Sequence, residues 1–329
     1  MKSDVKIVVV GGGTGLSVLL RGLKQVTNNI TAVVTVSDDG GGSGVLREDL
    51  GMLPPGDIRS CILALSNKEP ILQELFQYRF PEGRLKNQSF GNLMIAAMTG
   101  ISDNFEEAVK KISDIFAITG KVLPVTTDDV ELVATLEDGT TVVGESNIPY
   151  TVVKKKSPID QLSISPQDAK VLPEVLEELK EADVIVIGPG SLYTSIASNL
   201  LIDELRIGIQ QSQARVVYIG NVMTQMGETD GFGLKEHISV IESYLGYGVI
   251  DAVYANNGVI DSDTLNKYAL EEAIPVIVTR EDEAYCEQQK IELIQDYYIE
   301  TKKGYLRHDA KKIARRIVQD IDIKLYIHH

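Results

Sequence analysis

The sequence predicts an α/β protein: a Rossmann-like, doubly wound, mostly parallel sheet formed by one domain over residues 1–329, with a small β-rich insertion at about 122–165. Three observations predict it. The first is a strand–glycine–helix junction at the start, where Lys6-Ile-Val-Val-Val10 runs into Gly11-Gly-Gly-Thr-Gly15 and then Leu16-Ser-Val-Leu-Leu20. The second is a repeat of that junction, Asp183-Val-Ile-Val-Ile187 into Gly188-Pro-Gly-Ser191 and Leu192-Tyr-Thr-Ser-Ile196. The third is the alternation of short apolar runs with helical patterns along most of the chain, which is the order that βαβ units require.

The first junction suits phosphate. Glycines let the backbone take positive φ and approach a ligand closely, while the free N–H groups and the dipole of the next helix face the anion. Ile30-Thr-Ala-Val-Val-Thr-Val36 supplies a second strand, ending in Ser37-Asp38-Asp39 and another cluster, Gly40-Gly-Gly-Ser-Gly44. Acids at the tip of the second strand stand where a dinucleotide fold keeps its ribose-binding carboxylate. The dinucleotide fingerprint is incomplete, because Leu16 occupies the third glycine position, and this counts against a nicotinamide oxidoreductase. No G-x-x-x-x-G-K-[ST] is present, which argues against a P-loop NTPase.

Residues 45–56 hold too much glycine and proline to predict one regular element. Asp57–Leu65 predicts a helix with an acidic N-cap, and Pro70 opens another. Phe105, Val109, Ile112 and Phe116 recur at helical spacing as a core stripe. Val122–Thr127 and Val130–Leu136 are strand-like, and Glu137-Asp-Gly-Thr140 is a hairpin turn. Lys154-Lys-Lys156 in this region reads as a solvated charge run. The parallel pattern returns with the second junction, whose strand and that of the first can face one crevice at the carboxyl ends of the sheet. Ala214–Ile219 is a further strand, followed by Gly220-Asn221 and a long loop to Gly233. His237 reads as a surface or capping residue. Val249–Ala255 and Ile274–Val278 are the remaining strands, and Asp309–Val318 an amphipathic helix.

Composition narrows the function. A net charge of −15 argues against non-specific nucleic-acid binding, and 43% apolar with 6% aromatic residues is ordinary for an α/β protein. No apolar run reaches the ~18 residues of a membrane span, so a soluble, cytoplasmic protein is expected. Cys61 and Cys286 lie far apart without a C-x-x-C, which indicates neither a disulfide framework nor a zinc site.

With Gly11-Gly-Gly-Thr-Gly15, Ser37-Asp-Asp-Gly-Gly-Gly-Ser-Gly44, Pro54-Pro-Gly-Asp-Ile-Arg59, Ser89-Phe-Gly-Asn92, Gly188-Pro-Gly-Ser191 and Leu306-Arg-His-Asp309 in order, the chain resembles the CofD-like family over nearly its whole length. That family holds the 2-phospho-L-lactate transferases of deazaflavin coenzyme synthesis and the YvcK-type gluconeogenesis factors. The segments Gly40–Gly44 and Pro54–Arg59 have the form of the latter. The resemblance implies a bacterial cytoplasmic protein that binds UDP-sugars such as UDP-N-acetylglucosamine. It also implies a need for the protein in normal cell shape and in growth on gluconeogenic carbon, through cell-wall synthesis. Tyr268 and Arg307 match the tyrosine and arginine of the family's UDP-sugar site. A phenolic ring there would stack on uracil and a guanidinium would pair with phosphate.

On the first reading the protein is a sensor. The ligand's diphosphate sits on Gly12, Gly13, Thr14 and Gly15 and on Gly188, Gly190 and Ser191, while Asp38 or Asp39 meets ribose or sugar hydroxyls. Asn92 and Asn221 complete the candidate ligand-binding set, and occupancy would regulate a protein of cell-envelope synthesis. No nucleophile–base pair is visible, so no catalytic residue is assigned. On the alternative reading the protein is a phospholactate-type transferase in which Asp38 and Asp39 hold Mg²⁺ on a diphosphate; no other cofactor or metal is assigned. The sequence leaves open a homo-oligomer, the preferred sugar, the partner and whether His328-His329 is native.

Overall fold

Strands β1 (Ile7–Gly11) and β2 (Ile30–Val34) bury every residue, as continuous Val and Ile runs do in a sheet covered on both faces. Helix α1 (Gly13–Leu23) joins them and buries Leu16, Leu19, Leu20 and Leu23. This computed structural model describes residues 2–68, 70–270, 272–302 and 305–327, with side chains through residue 322. The His328-His329 pair lies outside the described residues. Helices α2 (Gly41–Leu50), α3 (Gly56–Leu65), α4 (Pro70–Gln77), α5 (Phe90–Gly100) and α6 (Phe105–Phe116) follow. The expected stripe of α6 is buried, and its first turn is capped by Asn104, whose Oδ1 accepts the Glu107 N–H at 2.8 Å.

Strand β3 (Lys121–Pro124) then pairs in parallel with β2. The β-rich insertion therefore begins later than about 122. It is an antiparallel sheet of β4 (Glu131–Leu136), β5 (Thr141–Val143) and β6 (Ile159–Ser165), with α7 (Asn147–Lys155) between the last two. Alternate residues of β4 are buried, the pattern of a sheet with one wet face. Lys154, Lys155 and Lys156 are exposed at the end of α7, as a solvated run should be.

The main sheet resumes with α8 (Pro173–Glu181), β7 (Val184–Ile187) and a π-helical turn, Leu192–Ala197, that runs into α9 (Ser198–Leu200). Next come α10 (Asp203–Gln211), β8 (Arg215–Ile219), α11 (Leu234–Leu245), β9 (Ala252–Asn256), α12 (Ser262–Ala269), α13 (Arg280–Gln289) and β10 (Glu292–Asp296). A hairpin of β11 (Ile299–Lys302) and β12 (Tyr305–His308) leads to α14 (Ala310–Ile327). The seven-stranded sheet has the order β10-β9-β8-β7-β1-β2-β3, with all neighbours parallel. The chain moves outward from β1 through β2 to β3, then returns to the other side of β1 at β7. This makes the β1/β7 boundary the topological switch point, where open α/β sheets leave a crevice beyond the strand ends.

Three expectations need correcting. Val45–Leu50 belongs to α2, whose glycines lie mostly in its first turn and which ends where Gly51 takes φ 61°. Ile274–Val278 forms no strand of the sheet; Val276 bonds to the Val222 carbonyl in the loop after β8, and Ile277 is 64% exposed. The outer strand is instead the polar Glu292–Asp296, which has a neighbour on one side only. His237 is fully buried, with Nδ1 2.7 Å from the Gly233 carbonyl, so it is a core residue rather than a surface one. No helix among the described residues is long and apolar enough to cross a membrane.

Helix α14 closes over α1 so tightly that a Cβ on Gly22 would overlap the Ala310 carbonyl. Gly22→Ala is therefore expected to cost about 1–3 kcal/mol in urea unfolding, because main chain rather than a flexible side chain must give way. Gly100→Ala, where nothing lies within 4 Å, should leave the midpoint nearly unchanged. Equal midpoints for the two variants would remove the α1–α14 contact as a constraint.

Candidate functional site

The two glycine junctions stand side by side at the switch point. Strand β1 ends at Gly11, Gly12 takes an extended N-cap conformation, and Gly13 starts α1 at φ 66°. Strand β7 ends beside it, and Gly188 turns the chain at φ 74° into Pro189 and Gly190. A Cβ on Gly15 would lie 2.7 Å from the Pro189 carbonyl oxygen, and one on Gly190 would lie 3.3 Å from that of Gly12. Only glycine at position 15 lets the bends approach in this way.

Above the bends opens a cleft of about 400 Å³. Gly13, Thr14, Gly15, Gly190 and Ser191 form one wall, Asn221 and the loop to Gln225 another, and Tyr268, Arg307 and His308 the third. Asn221 braces the second bend: its Nδ2 donates to the Gly190 carbonyl at 2.9 Å and its Oδ1 accepts from Tyr218 Oη at 2.8 Å. Ser191 Oγ donates to Gln225 Oε1 at 2.7 Å. Arg307 is exposed on β12, with its guanidinium donating only to the Leu306 carbonyl at 2.9 Å among the described residues. His308 donates from Nε2 to the Gly220 carbonyl at 3.0 Å, since a carbonyl can only accept. Its burial holds its pKa below the ordinary value, which keeps the ring neutral. Tyr268 is 9% exposed and its hydroxyl accepts the Leu306 N–H at 3.0 Å, so the ring offers a ligand an edge of the wall rather than an open stacking face.

The structure brings Gly13, Thr14, Gly15, Gly190, Ser191, Asn221, Tyr268 and Arg307 to this cleft and leaves the other expected residues out of its lining. Gly12 is buried behind the bend, where a Cβ would meet Thr35 and Asp57, and Gly188 faces Ile196. Asn92 is buried in α5 and accepts the Arg59 Nε–H at 2.8 Å, away from the cleft. Asp38 and Asp39 serve the backbone. Asp38 Oδ1 accepts the Gly40 N–H at 2.9 Å, and Asp39 Oδ1 accepts the Ser146 N–H of the insertion at 2.8 Å. No group of three or more His, Cys, Asp or Glu side chains among the described residues is disposed to hold a metal ion. A Mg²⁺ joining these two acids to a diphosphate in the cleft does not fit this arrangement, because neither acid lines it.

Sequence reading missed three carboxylates that set the electrostatics. Asp57 Oδ2 accepts the Gly13 N–H at 2.6 Å, which places a carboxylate on the first free amide of α1. Burial, with Asp38 nearby, pushes Asp57 up to about 6 despite that bond. Glu228 does the same at the second junction, accepting the Tyr193 and Thr194 N–H groups at 3.1 and 3.4 Å and the Gln225 amide at 2.9 Å. Burial raises its pKa. Glu145, enclosed beside Asp38, Asp39 and Glu228, is pushed up to about 8, mainly by burial. The protein thus covers the rear of both bends with its own acids and leaves the cleft side to Thr14, Gly15, Ser191 and the exposed Arg307. The remaining first-turn amides of α1 have no partner within the helix and are available to an anion.

Over residues 7–299 the chain matches the family described as 2-phospho-L-lactate transferase CofD. It is similar to a Clostridium acetobutylicum protein bearing a gluconeogenesis-factor name, with 51% identity over 322 residues that make up 98% of this chain and 71% of that protein. It is also similar to the gluconeogenesis factor of Bacillus subtilis, at 44% identity over 319 residues, 97% of this chain and 98% of the relative. The crystal structure of a Bacillus halodurans protein superposes with a TM-score of 0.91 at 45% identity, covering 96% of this chain and 100% of that one.

The Asp57 carboxyl gives a pH signature. Its folded pKa of about 6 lies above the ordinary 3.8, so below both values the acid is neutral in folded and unfolded chains and costs nothing. As pH rises from about 3.8 to about 6 the unfolded chain gives up a proton that the folded one retains, so stability falls across that window and levels off above it. Relative to wild type, Asp57→Asn should gain on the order of 2 kcal/mol between pH 4 and pH 7.5 in urea unfolding. A stability difference that does not change with pH would contradict the assigned environment.

Proposed function

The chain belongs to the CofD family, and from that membership we propose that it is a nucleotide-sugar-binding regulatory protein whose ligand is a UDP-sugar such as UDP-N-acetylglucosamine. One observation carries the reading: both glycine bends and the exposed Arg307 open onto the same cleft at the switch point. The diphosphate lies against the Thr14 and Gly15 amides and the Gly190–Ser191 bend, with Arg307 as its cation. Ser191 and Gln225 supply polar contacts for hydroxyl groups, and the apolar edge of Tyr268 and Val222 takes the base. Asn221 positions Gly190 rather than touching the ligand with a free group. In this reading residues 1–329 act as one unit in the cytoplasm, where UDP-sugars are made. Occupancy of the cleft is signalled to a protein of envelope synthesis and links cell shape to gluconeogenic growth.

The transferase reading has the family description in its favour and the placement of its acids against it. Asp38 and Asp39 stand outside the cleft lining. Incubation with a nucleotide-activated phospholactate, a deazaflavin acceptor and Mg²⁺ separates the two readings; turnover would replace the sensor by an enzyme.

Arg307→Ala should weaken UDP-N-acetylglucosamine binding at least about tenfold in isothermal titration, the loss of one charge-assisted contact to phosphate. The side chain is exposed, so the unfolding midpoint should stay where it is. Unchanged affinity would take Arg307, and with it this placement of the diphosphate, out of the site.

A further inference from the structure

A second cavity, of about 770 Å³, adjoins the cleft and shares Thr14, Val18 and Arg307 with it. Its floor is the outward face of α1, where Thr14, Val18 and Arg21 recur at helical spacing, continued by Gln25 just past the helix end. The β11–β12 hairpin and the first turn of α14 form the sides. Four cations face this space, Arg21, Lys302, Arg307 and Lys311, against two acids, Glu300 and Asp309. That excess occurs in a chain whose net charge is −15. Asp309 Oδ1 caps α14 by accepting the Lys312 N–H at 3.0 Å, and Glu300 lies 3.7 Å from Lys302 within the basin, which leaves Arg21, Arg307 and Lys311 as its excess. Among the described residues, Arg21, Arg307 and Lys311 take part in no ion pair. Three cations without a carboxylate partner thus converge on one cavity.

We propose that this basin is a second anion site, for the phosphate group of a small phosphorylated metabolite, and that it is coupled to the nucleotide-sugar cleft through Arg307. Two guanidinium forks and an ammonium group match a tetrahedral dianion better than a planar carboxylate. Val18 and the half-buried Tyr305 ring form an apolar wall for the carbon skeleton. Because Arg307 lines both cavities, an anion in one reduces what the guanidinium offers the other. The two ligands therefore antagonise each other by the same factor in both directions, as linkage requires. The coupling rests on the nucleotide-sugar reading; the basin itself does not.

The test titrates the full chain with inorganic phosphate, followed by ³¹P line broadening and calorimetry. Wild type should saturate with a dissociation constant in the millimolar range, and Arg21→Ala/Lys311→Ala should weaken that binding at least about tenfold. The double variant should hold its unfolding midpoint and bind UDP-N-acetylglucosamine within about twofold of wild type, since neither residue lines the cleft. Lys311→Glu should weaken phosphate binding further. With UDP-N-acetylglucosamine at saturation, phosphate affinity should fall about threefold or more without being abolished. Complete exclusion would instead mean that the basin receives the distal part of a single ligand spanning both cavities, and would overturn a separate site. Phosphate binding equal in wild type and the double variant, or absent up to about 50 mM, would overturn the basin as an anion site. If phosphate behaves as expected while UDP-N-acetylglucosamine does not bind, the basin stands and the nucleotide-sugar reading falls.

Discussion

Gly15 meets the Pro189 carbonyl, and Gly190 lies close to that of Gly12, with no room at position 15 for even a methyl group. That contact between main chains holds the carboxyl ends of β1 and β7 at one level. Because β1 and β7 are neighbours at the point where the strand order reverses, the same contact decides where the crevice opens. The flanking apolar strands supply the rigidity. Every residue of β1, β2, β7 and β8 is buried, so the bends are carried on a sheet packed from both sides.

Charge is divided across that contact. Behind the bends, Asp57 and Glu228 accept amides of the two junctions, and Glu145, Asp38 and Asp39 crowd the same region. In front, the cations come from segments remote in sequence: Arg21 from α1, Arg307 from the hairpin, Lys311 from α14. A helix start beside its own buried carboxylate is a weaker anion trap than a bare one, because the acid's field opposes the dipole. The attraction for an anionic ligand therefore rests more on the C-terminal hairpin than on the glycines.

The periodic parts of the fold were readable from the chain. Strands buried on both faces write themselves as Val and Ile runs, and α6 as an apolar residue every third or fourth position. Elements at the margin were not. Strand β10, at the sheet edge, has a polar sequence, while Ile274–Val278 looks like a strand but is half exposed beside the loop after β8. For the cleft, Gly13, Gly15, Gly190 and Arg307 could be named because a motif or a resemblance marks them. Asp57 and Glu228 carry no local mark: Asp57 reaches Gly13 across 44 positions and Glu228 reaches Tyr193 across 35, so only the folded chain reveals them. Asp38 and Asp39 show the converse. Their position at a strand tip resembles a ribose site, but in the fold one oxygen of each accepts a backbone amide, from Gly40 and Ser146, and neither acid lines the cleft.

Helix α1 lies under α14, with Gly22 against Ala310, and the hairpin just before α14 brings Arg307 over the bend that α1 begins. During translation the glycine loop leaves the ribosome early, and the residues that roof it emerge long afterwards. A nascent chain thus holds both glycine bends before the third wall of the cleft has been made. The cleft is therefore completed only when the hairpin has emerged, long after the bend that begins it.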